Sequence, residues 1–230
     1  MAEKNHRNEL KGKDKFLAGL STFLVKNKAL LWILLAVAAA VIIAVAVFDS
    51  IAEKKANIAS ESVELIQEKY NKWLSDAEDV DKEALEAEII EEADRIAVDY
   101  SSTFAAQRAV YIKGNISFIN EDWAAASTFF IDAAALNSDS YLAPITLMLA
   151  ASSLENDGKY SEALNVYSDI YARYDKIFPD IPRVMLSMAR LNEQIGDFSS
   201  ATDSYNLLLD NYPGSGWASF ARTRLIQMDK

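Results

Sequence analysis

The sequence predicts an all-α protein, with a single N-terminal transmembrane helix followed by a helical solenoid. Three observations carry this. Residues Ala29 to Phe48 read ALLWILLAVAAAVIIAVAVF, 20 positions without one polar or charged side chain. From residue 123 onward, aromatic and alanine residues recur in phase at separations of 37 and 38. A turn precedes each recurrence, and helical spacing of apolar residues flanks it on both sides.

At about 1.5 Å of rise per residue the apolar stretch spans roughly 30 Å, the thickness of a bilayer core. A buried helix of a soluble protein would carry a polar stripe, and this one carries none. A cleaved signal peptide is the rival reading, since Ala38-Ala39-Ala40 and Ala44-Val45-Ala46 suit a small-residue cleavage site. Such apolar regions run about 7 to 15 residues, which favours an uncleaved anchor. Residues 1–28 hold seven Lys or Arg against three acids, so the N-terminus is expected in the cytoplasm. The remaining 202 residues carry 16 basic and 31 acidic side chains, a net charge of −15. Such a domain is repelled by phosphate backbones, which argues against nucleic acid as a partner.

Beyond the anchor, Ile51, Ile58, Leu65 and Trp73, with Ile66 and Tyr70 between them, predict a helical stalk over Asp49 to Leu74. A dimerising coiled coil would need a heptad held for three turns, which these positions do not keep. A homo-oligomer through this segment stays an alternative to a lone stalk. Ser75 to Glu83 is acidic and is expected to be a solvated turn. Leu85, Ile89, Ile90, Ala93 and Ile96 then give one amphipathic helix over Ala84 to Val98.

Three columns define the repeats. Trp123, Tyr160 and Phe198 form the first, Ala126, Ala163 and Ala201 the second, and Phe130, Tyr167 and Tyr205 the third. Each unit reads as a helix hairpin in which the alanine admits close approach and the aromatics fill the space between the helices. Tyr100, Thr103, Ala106 and Ala109 are echoed by Tyr212, Ser215, Ala218 and Ala221. Pro213-Gly214 breaks the chain there, Ser215 is a candidate N-cap, and Gly216 to Lys230 is a lone helix covering the end of the stack. The domains expected are thus a cytoplasmic basic tail (1–28), a transmembrane helix (29–48), a helical stalk with a first packing helix (49–98), and the repeats with their capping helix (99–230).

GDFSSATDSYNLLLDNYP (Gly196 to Pro213) and DGKYSEALNVYSDIY (Asp157 to Tyr171) resemble the tetratricopeptide repeat (TPR). EDWAAASTFFIDAAALN (Glu121 to Asn137) follows the pattern without its turn glycine, while Lys113-Gly114 sits where the motif has a Leu-Gly pair. That repeat is 34 residues long, so three or four extra residues per unit are expected in the second helices or the turns between units, notably around Tyr174 to Pro182. The resemblance covers about residues 100–230 and implies a scaffold. The layout is also similar to the bacterial YfgM family, in the run Phe23 to Leu30 entering one membrane helix ahead of an acidic repeat domain. This resemblance implies a single-pass protein of the bacterial inner membrane, with its C-terminal domain in the periplasm. Its implied partners are the translocon, chaperones or envelope assembly components. The step Tyr212 to Ser215 also looks like the repeats of envelope proteins serving outer-membrane assembly or cell division.

No enzyme is expected. The chain has no glycine-rich phosphate loop and no nucleophile motif, and Glu86, Glu88, Glu91 and Glu92 fall at surface spacing as solvated charges. The absence of cysteine excludes disulfides and thiolate sites, and the lone His6 has no neighbouring ligands, so neither metal nor cofactor is expected. The sequon Asn115-Ile116-Ser117 falls inside a helix and is accidental.

The expected activity is binding of other proteins along the first helices of the repeats. Tyr111, Asn115 and Phe118, then Met148 and Ser152, then Arg183, Arg190 and Glu193 are the candidates, each weighed against solvent exposure or packing between helices. Arg183 and Arg190 would give a cationic spot for a carboxylate. The function expected is a periplasmic scaffold or adaptor supporting export or envelope assembly. The alternatives are a structural part of an envelope machine, such as a flagellar motor collar or a cell-wall or division complex, and a regulatory or sensory subunit. The 28-residue tail is too short for an output domain, which counts against the last.

Overall fold

The computed structural model describes residues 23, 25–75 and 81–229, with the Leu31 side chain excepted. Most of the expected basic tail with His6, the stretch 76–80 of the expected acidic turn, and Lys230 lie outside the described residues. The described chain is helical: α1 Lys28–Leu74, α2 Lys82–Asp99, α3 Phe104–Ile119, α4 Trp123–Leu136, α5 Leu142–Asn156, α6 Tyr160–Tyr174, α7 Ile181–Gln194, α8 Phe198–Asn211 and α9 Gly216–Met228. Two compact units divide within α1, at Lys54 and Lys55. In the first, α1 contains an 18-residue window of mean hydropathy 3.1, none of it buried.

The second unit is a stack of paired helices. α3 with α4, α5 with α6, and α7 with α8 form hairpins, each hairpin packs on the next, and α9 closes on α8 and α7. Each hairpin turns over three residues, with a left-handed backbone at Glu121 (φ 60°), Gly158 (φ 73°) and Gly196 (φ 85°). Glycine meets that requirement without strain, whereas Glu121 meets it at a cost. Asp122 and Asp197 then cap α4 and α8 by accepting from the N–H groups of Ala125 and Ser200, while Lys159 offers α6 no side-chain cap. Ser215 caps α9 through the N–H of Trp217, as expected. The extra residues of the long repeat lie between hairpins, as at 175–180 within the expected stretch. There the Tyr174 hydroxyl donates to the Ser138 carbonyl at 2.8 Å, tying two of these turns together.

The alanine column is fully buried, and Phe130, Tyr167 and Tyr205 lie behind it with at most 5% exposure. Trp123 and Tyr160 are half-buried, but Phe198 is 59% exposed, so it does not fill the space between helices as its column predicts. Gly114 has a packing reason: a Cβ there would stand 2.6 Å from the Phe130 ring.

The stalk reading needs correction. Ile51, Ile58 and Leu65 are all more than half exposed; of the positions read, Ile66 and Trp73 are buried, and Ala59 and Val63 join them. These pack in one cluster with Ile89, Ala93 and Ile96 of α2 and with alanines and isoleucines of α3. The spacing of four, three and seven keeps them on one helical face. The expected turn is also shorter than read, because Asp81 caps α2 and Lys82 and Glu83 are already helical. Nor are the α2 carboxylates merely solvated: Lys69 bridges Glu88 and Glu92 at 2.7 and 2.8 Å, and Glu86 accepts from Asn120 at 3.0 Å.

Candidate partner-binding groove

The first helices of the hairpins (α3, α5, α7) and α9 differ in charge from the second (α4, α6, α8). The former carry six basic residues and only two acids, Glu155 and Glu193, and the latter one basic residue and five acids. In an acidic chain, positive charge is therefore gathered on one set of helices.

The two acids of that set are each gripped from two sides. Tyr167 of α6 donates to Glu155 of α5 at 3.0 Å, and Arg190 of α7 pairs with the same carboxylate. One repeat later, Tyr205 of α8 donates to Glu193 of α7 at 2.5 Å, and Arg224 of α9 reaches both carboxylate oxygens through Nε at 2.7 and 3.0 Å. Each carboxylate thus joins its own hairpin to the next first helix. In the first hairpin the same register holds Phe118, whose ring lies 6.4 Å from Phe130 and 5.0 Å, edge-on, from Trp123. An aromatic cluster replaces the polar latch there.

These contacts move the groups' proton affinities. Burial alone would raise the Glu193 carboxyl, but hydrogen bonds from Arg224 and Tyr205 outweigh it and hold the group below its ordinary value. Burial, with the Glu155 carboxylate beside it, pushes the Tyr167 phenol up to about 12. Burial and the hydrogen bond to Glu193 raise Tyr205 as well.

The C-terminal latch forms part of an open groove of about 870 Å³ between α7, the start of α8, and α9. Leu186, Phe198 and Phe220 supply its apolar surface, with Phe198 and Phe220 59% and 60% exposed. Arg190, Glu193 and Arg224 lie along it.

Of the partner-binding candidates, Arg190 and Glu193 meet in this groove, joined by the column residues Phe198 and Tyr205. Arg183 is exposed, with its guanidinium 6.0 Å from the Trp217 ring centre. Arg190 pairs with Glu155 rather than standing free beside Arg183. Tyr111 and Phe118 are half-buried against Phe130 inside the first hairpin, and Met148 belongs to the core at 9% exposure. Asn115 and Ser152 are half-buried. Sequence reasoning missed Phe220, Arg224 and the polar role of Tyr205. The signal available was the shared 38-residue separation of Glu155 from Glu193 and of Tyr167 from Tyr205.

Among the described residues no group of three or more His, Asp or Glu side chains is placed to hold a metal ion. No model of a known protein family matches the chain. Over 123 residues it is 30% identical to a TPR repeat-containing protein of Treponema pallidum (strain Nichols), the match covering 54% of this chain and 51% of that protein. The chain thus spans about half the length of the curated relative it matches. Similar solved structures include the Arabidopsis OM64 TPR domain, at TM-score 0.45 and 18% identity over 54% of this chain and 98% of that one. Another is Pseudomonas aeruginosa pilF, at TM-score 0.42 and 20% identity over 78% of this chain and 67% of that one. The repeat geometry makes the chain an all-α, TPR-like helical solenoid, similar over about half of its length to a bacterial TPR protein. This fold is typical of scaffolds rather than of catalysts.

Proposed function

We propose that this protein is a membrane-anchored scaffold that holds other proteins beside the bacterial inner membrane. In this reading residues 29–48 cross the membrane, the basic tail stays in the cytoplasm, and the solenoid faces the periplasm. The apolar window of mean hydropathy 3.1, with none of it buried, supports the anchor, and the seven cationic residues ahead of it support the orientation. The observation that carries the binding role is the open groove with Phe198 and Phe220 turned outward, since exposed aromatic side chains lining a concavity mark interaction sites.

Support of protein export or envelope assembly is the form we favour, with translocon subunits or periplasmic chaperones as the partners. Crosslinking in intact cells tests it, with a photoreactive residue placed at Tyr111, Arg190 or Phe198 and the products identified by mass spectrometry. Translocon subunits, chaperones or many different secreted chains are the expected products from Arg190 and Phe198. One or two recurrent structural proteins would overturn the export role and establish a part of an envelope machine instead.

A further inference from the structure

The last helix is fastened differently from the rest. α9 fully buries only Ala218 and Ala221, whereas α7, of similar length, buries seven residues. Two of its larger apolar side chains are mostly exposed, Phe220 at 60% and Ile226 at 62%. Leu225 and Met228 are only partly buried against the core. Ile226 also stands in the register of Gly114, given the 112-residue echo between α3 and α9, so the small residue that admits an aromatic from a second helix is missing here.

An ion pair adds to this sparse packing. Arg224 grips Glu193 through Nε and through a second nitrogen at 2.5 Å, and Tyr205 holds the same carboxylate in place from α8. The Glu193 side chain is 8% exposed but that of Arg224 is 50% exposed, so water and salt reach the cationic half of the pair. The connector before the helix contains Pro213 and Gly214, both exposed. Phe220, Thr223, Arg224 and Gln227 meanwhile form one wall of the groove.

We propose that α9 opens as a separate unit, with the Arg224–Glu193 pair as its fastening, so that the groove exists only while this helix is closed. Local opening of a weakly packed terminal element is lower in free energy than global unfolding, and here one charge pair sets the difference. A partner in the groove would keep the helix shut, and raised ionic strength would release it. The mechanism does not depend on which partner is bound.

Peptide-resolved hydrogen exchange of the full-length protein in detergent micelles tests this, comparing the native chain with Arg224→Gln at low salt. The amides of 216–228 are expected to exchange several-fold faster in the variant, with 160–211 unchanged. In the native chain, 1 M salt is expected to accelerate the same amides, and in the variant it should add little. This salt comparison needs no substitution and decides the matter even where Arg224→Gln misfolds. Equal acceleration of α7 and α8, or no acceleration of α9 under either condition, would mean one cooperative unit and overturn the proposal.

Discussion

The Tyr205 hydroxyl donates to the Glu193 carboxylate at 2.5 Å, from the second helix of a hairpin back to the end of its first. Tyr167 repeats the arrangement with Glu155 at 3.0 Å, so an aromatic column read as packing is also a column of hydrogen-bond donors.

Both phenols bind their protons more tightly in the folded chain than in the unfolded one. Their stabilising contribution is therefore complete below the ordinary value of 10.0 and is lost as pH rises through the folded value, about 12 for Tyr167. Followed by tyrosinate absorbance, four of the ten tyrosines, Tyr70, Tyr167, Tyr174 and Tyr205, are expected to titrate late, and Tyr167→Phe and Tyr205→Phe each to remove one of the latest. Ten tyrosines titrating together in the folded protein would contradict this.

Glu193 has the opposite sign. Its folded value lies below the ordinary 4.5, so its contribution is present above that pH and is lost as pH falls through the folded value. Glu193→Gln should lower stability at pH 7 by about 1–2 kcal/mol and flatten the acid limb of the stability profile. Urea melts at pH 7 and pH 4 measure both effects.

The backbone at Glu121 sits where the other two hairpins have glycine. Glu121→Gly should therefore stabilise the protein by about 1 kcal/mol, while Gly158→Ala and Gly196→Ala should each destabilise it by a similar amount. Thermal melts of the three variants should show one upward and two downward shifts.

At Gly114 the constraint is space rather than dihedral angle. A methyl group there meets the fully buried Phe130 ring, so Gly114→Ala should cost about 1–3 kcal/mol. Combining it with Phe130→Leu should recover part of that loss, and a strictly additive pair would show that the two positions do not clash.

The absence of cysteine makes topology directly testable. With the native chain in spheroplasts, a membrane-impermeant maleimide should label Ser161→Cys and spare Ser21→Cys. Labelling of both or the reverse pattern would contradict the orientation proposed.

Hairpin boundaries were legible because Ala126, Ala163 and Ala201 must be small and regularly spaced for helices to pack, a demand that composition alone can show. The buried face of α1 was not. Ile51, Ile58 and Leu65 look equally apolar in the sequence, yet Ala59, Val63 and Ile66 face the neighbours, a choice made by where α2 and α3 lie. The groove was half legible: Arg190 and Glu193 could be placed on a first helix, but their partners Glu155 and Arg224 come from other helices 31 to 35 residues away. Among 34 acids and 23 bases, nothing in the sequence marks which charges will meet.

The substitution of Phe118 and Phe130 for a Glu–Tyr pair gives the solenoid a thermal polarity. Apolar contact weakens on cooling, because its driving force near room temperature is entropic, whereas charge-assisted hydrogen bonds have no such decline. At this register the first hairpin thus relies on the kind of cohesion that fades in the cold, whereas the later hairpins add charge-assisted bonds to their apolar core. Chilled far enough, the first hairpin would begin to loosen at this register before the later ones do.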